Sequence, residues 1–338
     1  MRKEYIIKRI FLTIFVIFGV LVITFVLSRI IPGDPAALWV GAHPTKEQLE
    51  RARKELHLDE PYFIQFIYYL KDVFSGSFGI SYRTRTPVIK DIKTALPATL
   101  ELMFFSFTIA LLVGIPLGVL AGTRRGSYVD HLVRVLGVSG ASIPPFWLAL
   151  VLQFVLGNTL GIFPLTKRVD DVLRITTGFK PITGFYLLDS LLQGNWKVFI
   201  DVMRHMVLPG ITLASYPLAL SSRMTRALMV EVLRENYIRS VTAWGLPKNV
   251  IVFKYALKNA IIPTIAAVGM SFAYTLVGAF LVEVIFAWPG IGSYAALAML
   301  SLDYPAILGT VIVIAFFYCI VNLVVDIIQA ILDPRVRL

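Results

Sequence analysis

The stretch ENYIRSVTAWGLPKNVIVFKYALKNAIIP, Glu235 to Pro263, decides how the rest of the chain is read. It is polar and basic, it is interrupted at Gly245 and Pro247, and it separates two apolar runs at 207–230 and 261–287. Gly245 admits a left-handed or otherwise tight backbone and Pro247 can open a helix, so the stretch reads as helix, turn, helix. The first helix is expected from about Met229 to Ala243, presenting Val232, Tyr237, Ile238 and Val241 with Arg234 and Arg239 interleaved. A rigid hairpin held at both ends by apolar segments can pass on the movement of a bound partner, which a Gly/Ser linker could not. The plainer alternative is a basic loop resting on anionic headgroups.

Working outward, the 338 residues are 57% hydrophobic and only 16% charged, with a mean hydropathy of +0.76. A soluble domain of this size does not need so much apolar sequence for one core. The chain therefore reads as an all-α integral membrane protein. Apolar runs long enough to cross about 30 Å of hydrocarbon, roughly 20 residues each, fall near 10–31, 98–122, 135–160, 207–230, 261–287 and 305–332. Six transmembrane helices follow. The fourth is the least clean, because Pro209, Pro217, Arg223 and Arg226 interrupt or end it, and hydropathy alone also admits five.

Orientation comes from the basic residues near span ends. Arg2, Lys3, Lys8 and Arg9 precede the first span, Arg124 and Arg125 follow the second, and Arg335 and Arg337 come after the last. With six spans all three groups share one side, so both termini and the opening hairpin are expected in the cytoplasm of a multi-pass cell-membrane protein. The first span is too long for a signal-peptide core and no small-x-small cleavage site precedes Pro32, which reads as an uncleaved anchor. The net charge of +11 is accounted for by this topology and by anionic lipid, with no need for nucleic acid. Cys319, a lone thiol in the last span, reads as a small buried apolar residue.

Residues 1–31 are thus the cytoplasmic N-terminus and first span, 32–96 a structured external segment, 97–332 the membrane core and 333–338 a cytoplasmic tail. Within 32–96, Thr45 and Gln48 have the spacing of a capping box, and Leu49, Ala52 and Leu56 share a helical face. A second helix is expected from Pro61, at a first-turn position, to Phe74, ending at Gly76, with Phe63, Phe66, Ile67 and Leu70 as its aromatic face. That face suits the membrane interface or the outer ends of spans, and the segment as a whole either caps helix ends or docks an external partner. A second external segment, 161–205, holds the turn-rich TTGFKPITGF and the short apolar helix YLLDSLLQG. His43, His57 and His205 are isolated from other metal-ligating residues and are assigned no role.

The sequence contains no G-x-x-x-x-G-K-[ST], H-E-x-x-H, G-x-S-x-G or C-x-x-C, so neither an enzyme activity nor a bound cofactor is expected of this chain. Few ionisable groups lie within the spans. Glu101 is expected as a solvated carboxylate near the outer end of span two, and Glu283 is placed to bond backbone groups of the irregular FAWPGIGSY that follows it. Asn322 and Asp326, four residues apart, share one face of span six and serve either as interhelical glue or as lining of a polar path. Gly114, Gly118 and Gly122 form a small-xxx-small stripe on span two, permitting close approach of another helix.

Several of these stretches carry a family resemblance over nearly the whole length. They are RIIPGDP, LHLDEPYFIQFIYYLKDVFSGSFGISY, PVIKDIKTALPATLEL, ASIPPFWLAL, ITGFYLLDS, HMVLPGITLASYPLALSSRMTRALMVEVLRENYIRS, EVIFAWPGIG and VNLVVDIIQAILDPRVRL. Together they resemble a permease subunit of an ATP-binding-cassette importer of the dipeptide, oligopeptide and nickel class. The resemblance implies the six-helix type I importer permease fold in a prokaryotic cell membrane. It also makes 231–260 the coupling loop that such permeases insert into an ATPase. The wider family has Glu-Ala-Ala, three residues, then Gly, and later Ile-x-Leu-Pro. Here Gly245 matches the glycine, Arg239, Ser240 and Val241 replace Glu-Ala-Ala, and the later proline is Pro263.

On this resemblance the ATPase contact falls on Glu231, Arg234, Glu235, Tyr237, Arg239, Ser240, Val241, Ala243 and Gly245. The implied partners are a second homologous permease, two cytoplasmic ATP-binding subunits that hold ATP and Mg, an external substrate-binding protein and the lipid bilayer. ITGFYLLDS is more similar to the dipeptide branch than to the nickel branch, so di- or oligopeptides are the expected cargo, moved by alternating access. Oligosaccharides, nickel or another small solute are the alternatives within the same machinery. An ion-coupled secondary transporter is the alternative from another class, but it needs its own ion site and repeated halves, which the sequence lacks.

Overall fold

The computed structural model describes residues 3–30, 35–40, 44–55 and 57–332, with side chains throughout except at 3–6, 29, 30, 35, 38, 39, 273, 274, 277 and 328–332. Arg2, Pro32, His43, Leu56 and the expected tail 333–338 lie outside the described residues. All regular structure among the described residues is helical, apart from one isolated β-bridge between Ile80 and Pro87. In chain order the helices are α1 (Lys3–Ile30), α2 (Pro35–Val40), α3 (Lys46–Glu55), α4 (Tyr62–Phe74), α5 (Val88–Thr123), α6 (Tyr128–Ser142) and α7 (Pro145–Leu152). There follow α8 (Asp171–Thr176), α9 (Tyr186–Leu192), α10 (Trp196–Val232), α11 (Asn236–Ala243), α12 (Lys248–Val250), α13 (Leu257–Ile285), α14 (Ile291–Leu300) and α15 (Tyr304–Leu332). π-Helical stretches at Gln153–Thr159 and Ile251–Ala256 continue α7 and join α12 to α13.

Five helical stretches are long and apolar enough to cross a membrane, and a sixth crossing is available if the bent pair Tyr128–Ser142 and Pro145–Thr159 counts as one. The two spans that matter most for topology exchange their expected characters. Span three, read as continuous over 135–160, bends by 107° between α6 and α7. Pro144 keeps Ile143 out of the helical region, at φ −76 and ψ 123, so the backbone turns there before Pro145 opens α7. Span four, which its prolines and arginines made the least clean, is a single 37-residue helix with Pro209 and Pro217 inside it. Burial overrides local propensity: 56% of its most apolar window is buried, against 17% for α1. The helix α5 also starts at Val88, ten residues before the apolar run, and α14 is a short apolar helix too brief to register as a span.

The chain divides into two compact units, one built on Pro97–Ser293 and the other on Ile7–Leu96 with Tyr294–Ile320. In the second, the capping box at the start of α3 is formed: Thr45 N–H donates to Gln48 Oε1 (2.9 Å) and Gln48 N–H to Thr45 Oγ1 (3.3 Å). Pro61 is the N-cap of α4 and not its first-turn residue, while Gly76 ends the helix at φ +78. The buried Asp303 carboxylate accepts from the Ser81 hydroxyl and the Arg83 N–H (3.1 Å), and it caps α15 through Ala306 N–H (3.3 Å).

The first unit is organised around α10. Its buried core joins Leu102, Val198, Met206, Leu213, Val282 and Trp288. The expected glycine stripe faces this helix. A Cβ on Gly118 would stand 2.5 Å from Thr225 Cβ and 2.7 Å from the Ser222 carbonyl, and one on Gly122 would stand 2.7 Å from Met229 Cβ. Gly114 likewise faces Ser221 and Leu218. Only glycine permits this approach, so α5 and α10 are locked backbone to backbone over two turns. On another face of α10, Gly140 lies against the Ser215 carbonyl and brings α6 equally close.

Candidate functional site

The polar hairpin is built on that lock. The helix α10 ends at Val232, Leu233 and Arg234 turn, and Glu235 is extended at φ −64 and ψ 148 before α11 begins. The expected helix over 229–243 is therefore two, with Val232 on α10 and the polar surface on the eight-residue α11. No glycine or proline marks this break, which is why it is silent in the sequence. Trp244 closes α11 in the helical region and Gly245 follows at φ +77, the left-handed turn expected of it. Pro247 then N-caps α12, and helical backbone runs on from Lys248 into α13, so much of the expected loop 231–260 belongs to the next span.

One face of α11 is apolar and buried. Ile238 and Val241 join Val119, Met229, Ile251, Ala256 and Ala260 in a closed cluster, with Val232, Leu233, Leu246 and Leu257 packed around it. This cluster contains residues of α5, α10, α11 and α13, so the short helix is braced by three long ones. Its other face carries Asn236, Tyr237, Arg239, Ser240 and Ala243, all exposed, and continues through Trp244, 76% exposed, to Gly245. Val241 was expected among the contact residues, and the structure instead gives it to the brace. Tyr237 is fixed in place, its hydroxyl accepting from Asn259 Nδ2 (2.7 Å). A cavity of about 470 Å³ opens beside the α10–α11 junction, lined by Ala227, Val230, Glu231, Arg234, Glu235 and Asn236. Five basic residues against two acidic ones over 231–260 leave the hairpin positive.

The site has a support that the sequence reading missed. Arg226, in the last two turns of α10, donates to the buried Asp130 of α6 through both Nε and Nη2 (3.1 Å from Nη2 to Oδ2), and Gly126 N–H donates to the same carboxylate (2.9 Å). An arginine at the end of an apolar helix signals a partner, but sequence alone does not say which carboxylate supplies it.

The remaining polar candidates are gathered at the other end of α5. Glu101, expected as solvated, is 5% exposed, and its carboxylate accepts from the buried Arg168 and from Leu187 N–H (2.7 Å). Arg168 also donates to the Gly184 carbonyl (2.7 Å) and lies over the Tyr186 ring, 3.8 Å from its centroid. The segment 161–194 folds back over this end of the helix and supplies the counter-charge, which removes Glu101 from water. Glu283 does bond the irregular stretch after it, accepting from Ser293 N–H (3.1 Å) and from Thr99 Oγ1 of α5 (2.6 Å). Trp288 Nε1 donates to the Ala98 carbonyl (2.9 Å) beside it.

Nearby, Asp189 on α9 accepts from Thr183 Oγ1 (2.7 Å) and from the N–H groups of Ile182 (3.0 Å), Thr183 (2.9 Å) and Gly184 (3.0 Å). Burial alone would raise its pKa; these hydrogen bonds outweigh burial and hold the carboxyl below its ordinary range. Asn322 and Asp326 lie half-buried on α15. Among the described residues no group of three or more His, Cys, Asp or Glu could hold a metal ion, and Cys319 is buried.

This architecture, long apolar helices joined to an outward-facing braced hairpin, agrees with what comparison with known families finds. Residues 114–338 match the binding-protein-dependent transport system inner membrane component family, and residues 2–103 match the N-terminal family of binding-protein-dependent transport system membrane components. The chain belongs to this family of transport permeases and is a multi-pass membrane protein. It is 44% identical over 323 residues to the probable D,D-dipeptide transport system permease protein DdpB of Escherichia coli, covering 96% of this chain and 94% of that one. It is 39% identical over 335 residues to the di/tripeptide transport system permease protein DppB of Pseudomonas aeruginosa, covering 99% and 98%. It is 37% identical over 333 residues to the dipeptide transport system permease protein DppB of Alkalihalophilus pseudofirmus, covering 98% and 99%.

Proposed function

We propose that the chain is one permease subunit of an ATP-driven importer of di- or oligopeptides, lying in a prokaryotic cell membrane with both termini and the hairpin in the cytoplasm. The names of its relatives, dipeptide and di/tripeptide permeases matched end to end, support the cargo. A second homologous permease completes the pathway, two cytoplasmic ATPases drive it and an external binding protein delivers the peptide. Glu231, Arg234, Glu235, Tyr237, Arg239, Ser240, Ala243 and Gly245 form the ATPase-facing surface. The observation that carries this reading is the two-faced α11, apolar toward α5, α10 and α13 and polar toward the outside. A push on its outer face is delivered to three long helices as a rigid-body movement, not absorbed by a loose linker. Closure of the ATPase pair then opens the pathway outward, and hydrolysis with release returns it.

Gly245 tests this cleanly. A Cβ there meets nothing within 4 Å, so a substitution strains only the turn, by about 1–2 kcal/mol for an L-residue in the left-handed region. Gly245→Val is expected to leave membrane insertion and yield unchanged while peptide uptake falls. Full uptake by that variant would refute the assignment of the hairpin.

A further inference from the structure

The helix α4 stands between the first two long helices, where the sequence suggested an external segment, yet its contacts put it at the depth of the hydrocarbon. From Ile10 to Ser28 the described part of α1 carries no charge; these 19 residues make about 28 Å of helix, which fits within a hydrocarbon core of about 30 Å. The turns between Arg9 and Ser28 therefore lie inside the bilayer. Phe66 of α4 packs on two of its rings, Phe25 (centroids 5.1 Å) and Phe18 (6.2 Å). Along α1 these lie about 4.5 and 15 Å inward from Ser28, so Phe66 lies between those depths. Tyr69 adds a third contact of the same kind, its hydroxyl sharing a hydrogen bond of 2.7 Å with the buried Thr24 hydroxyl. That bond is what a polar pair needs in a place without water.

The outward surface of α4 fits the same location. At 100° per residue, Phe63, Ile67 and Phe74 fall within one narrow stripe beside the α1-facing side, and they are 74%, 49% and 79% exposed. Tyr68, Lys71 and Asp72 occupy the next flank, with His57 stacked flat on Tyr68 at 3.9 Å. Ile23 and Phe18 of α1, at the depth of this contact, are 59% and 49% exposed, an apolar surface of the kind acyl chains cover. The α4 stripe continues that covered surface. We infer that α4 is a membrane-embedded amphipathic helix, seated in the leaflet at the C-terminal end of α1, with Phe63, Ile67 and Phe74 in acyl chains and Lys71 among the headgroups. The inference rests on α1 alone and stands whether or not the function proposed above is correct.

The test uses the full chain in lipid nanodiscs with Cys319→Ala as background and a nitroxide label at Phe63→Cys, Ile67→Cys, Lys71→Cys or, as an aqueous reference, Glu47→Cys on α3. Phe63, Ile67, Lys71 and Glu47 are exposed, so labelling disturbs no packing. Collision with oxygen relative to a polar nickel chelate is expected to be roughly tenfold higher at positions 63 and 67 than at 47, with 71 between them. Ratios at 63 and 67 equal to that at 47 would overturn the proposal in favour of a helix in water. Protection of both positions from both reagents in the co-purified assembly would overturn it in favour of a protein partner.

Discussion

The two ends of α5 are held by opposite physics. Around Gly118 and Gly122 the contacts are uncharged and bring backbone against backbone, and the charge of α11 points outward. About 30 Å along the same helix, near Glu101, the charges point inward and satisfy one another through Arg168, Thr99 and the backbone of 184–187 and 293. The difference is instructive because an internally satisfied end has nothing left to offer a partner through those groups, whereas at the hairpin end Arg226 and Asp130 satisfy each other inward but the polar groups of α11 stay free of the core. The unbroken helix α5 between them makes the two ends parts of one lever.

Breaking the inward end should have the largest effect. Arg168→Ala leaves Glu101 buried without its counter-charge, a loss of about 3–5 kcal/mol. Folded monomer in size-exclusion profiles is expected to fall sharply, and Glu101→Leu with Arg168→Leu should recover much of it. A smaller loss is expected from the lock. Gly118→Ala pushes a methyl into Thr225 and the Ser222 carbonyl and should cost about 1–3 kcal/mol, and Thr225→Ala should not restore it, since the backbone carbonyl and Cβ remain. The same methyl at Gly245 meets no atom within 4 Å and costs only the strain of the left-handed turn, about 1–2 kcal/mol. Gly245→Asn, which tolerates that backbone, should therefore be milder than Gly245→Ala, whereas Gly118→Asn should be worse than Gly118→Ala; the opposite order at either site would break the contrast.

Asp189 gives the smallest effect and a pH signature. Its folded pKa lies below the ordinary carboxylate value of about 4, so its contribution is present above that value and is lost as pH falls through the folded pKa. Asp189→Asn should lower stability by about 1–2 kcal/mol at pH 7 and by progressively less in acid, measured by thermal unfolding in detergent.

Much of this arrangement was legible in the sequence. Hydropathy placed the long helices, the capping box at Thr45 and Gln48 formed, and the four-residue glycine spacing announced a close helix contact, though not that α10 was the partner. Gly245 declared its left-handed turn because few residues other than glycine adopt it readily. What stayed hidden was set by tertiary packing. Pro209 and Pro217 suggested a weak span, yet burial keeps α10 whole, while span three breaks at Pro144 inside an equally apolar run. Glu101 looked solvated because its counter-ion lies 67 residues away in a segment with no periodicity to locate it. The break before α11 has no residue signal at all.

The central claim, that the outer face of α11 is where an ATPase engages, is tested most directly by cross-linking the co-purified assembly from single cysteines in the Cys319→Ala background. A short bifunctional maleimide at Ser240→Cys should join the chain to the ATPase, while the same reagent at Leu191→Cys, exposed at the other end of the unit, should not. ATPase retained in the assembly but joined equally from both positions, or from Leu191→Cys alone, would contradict the account.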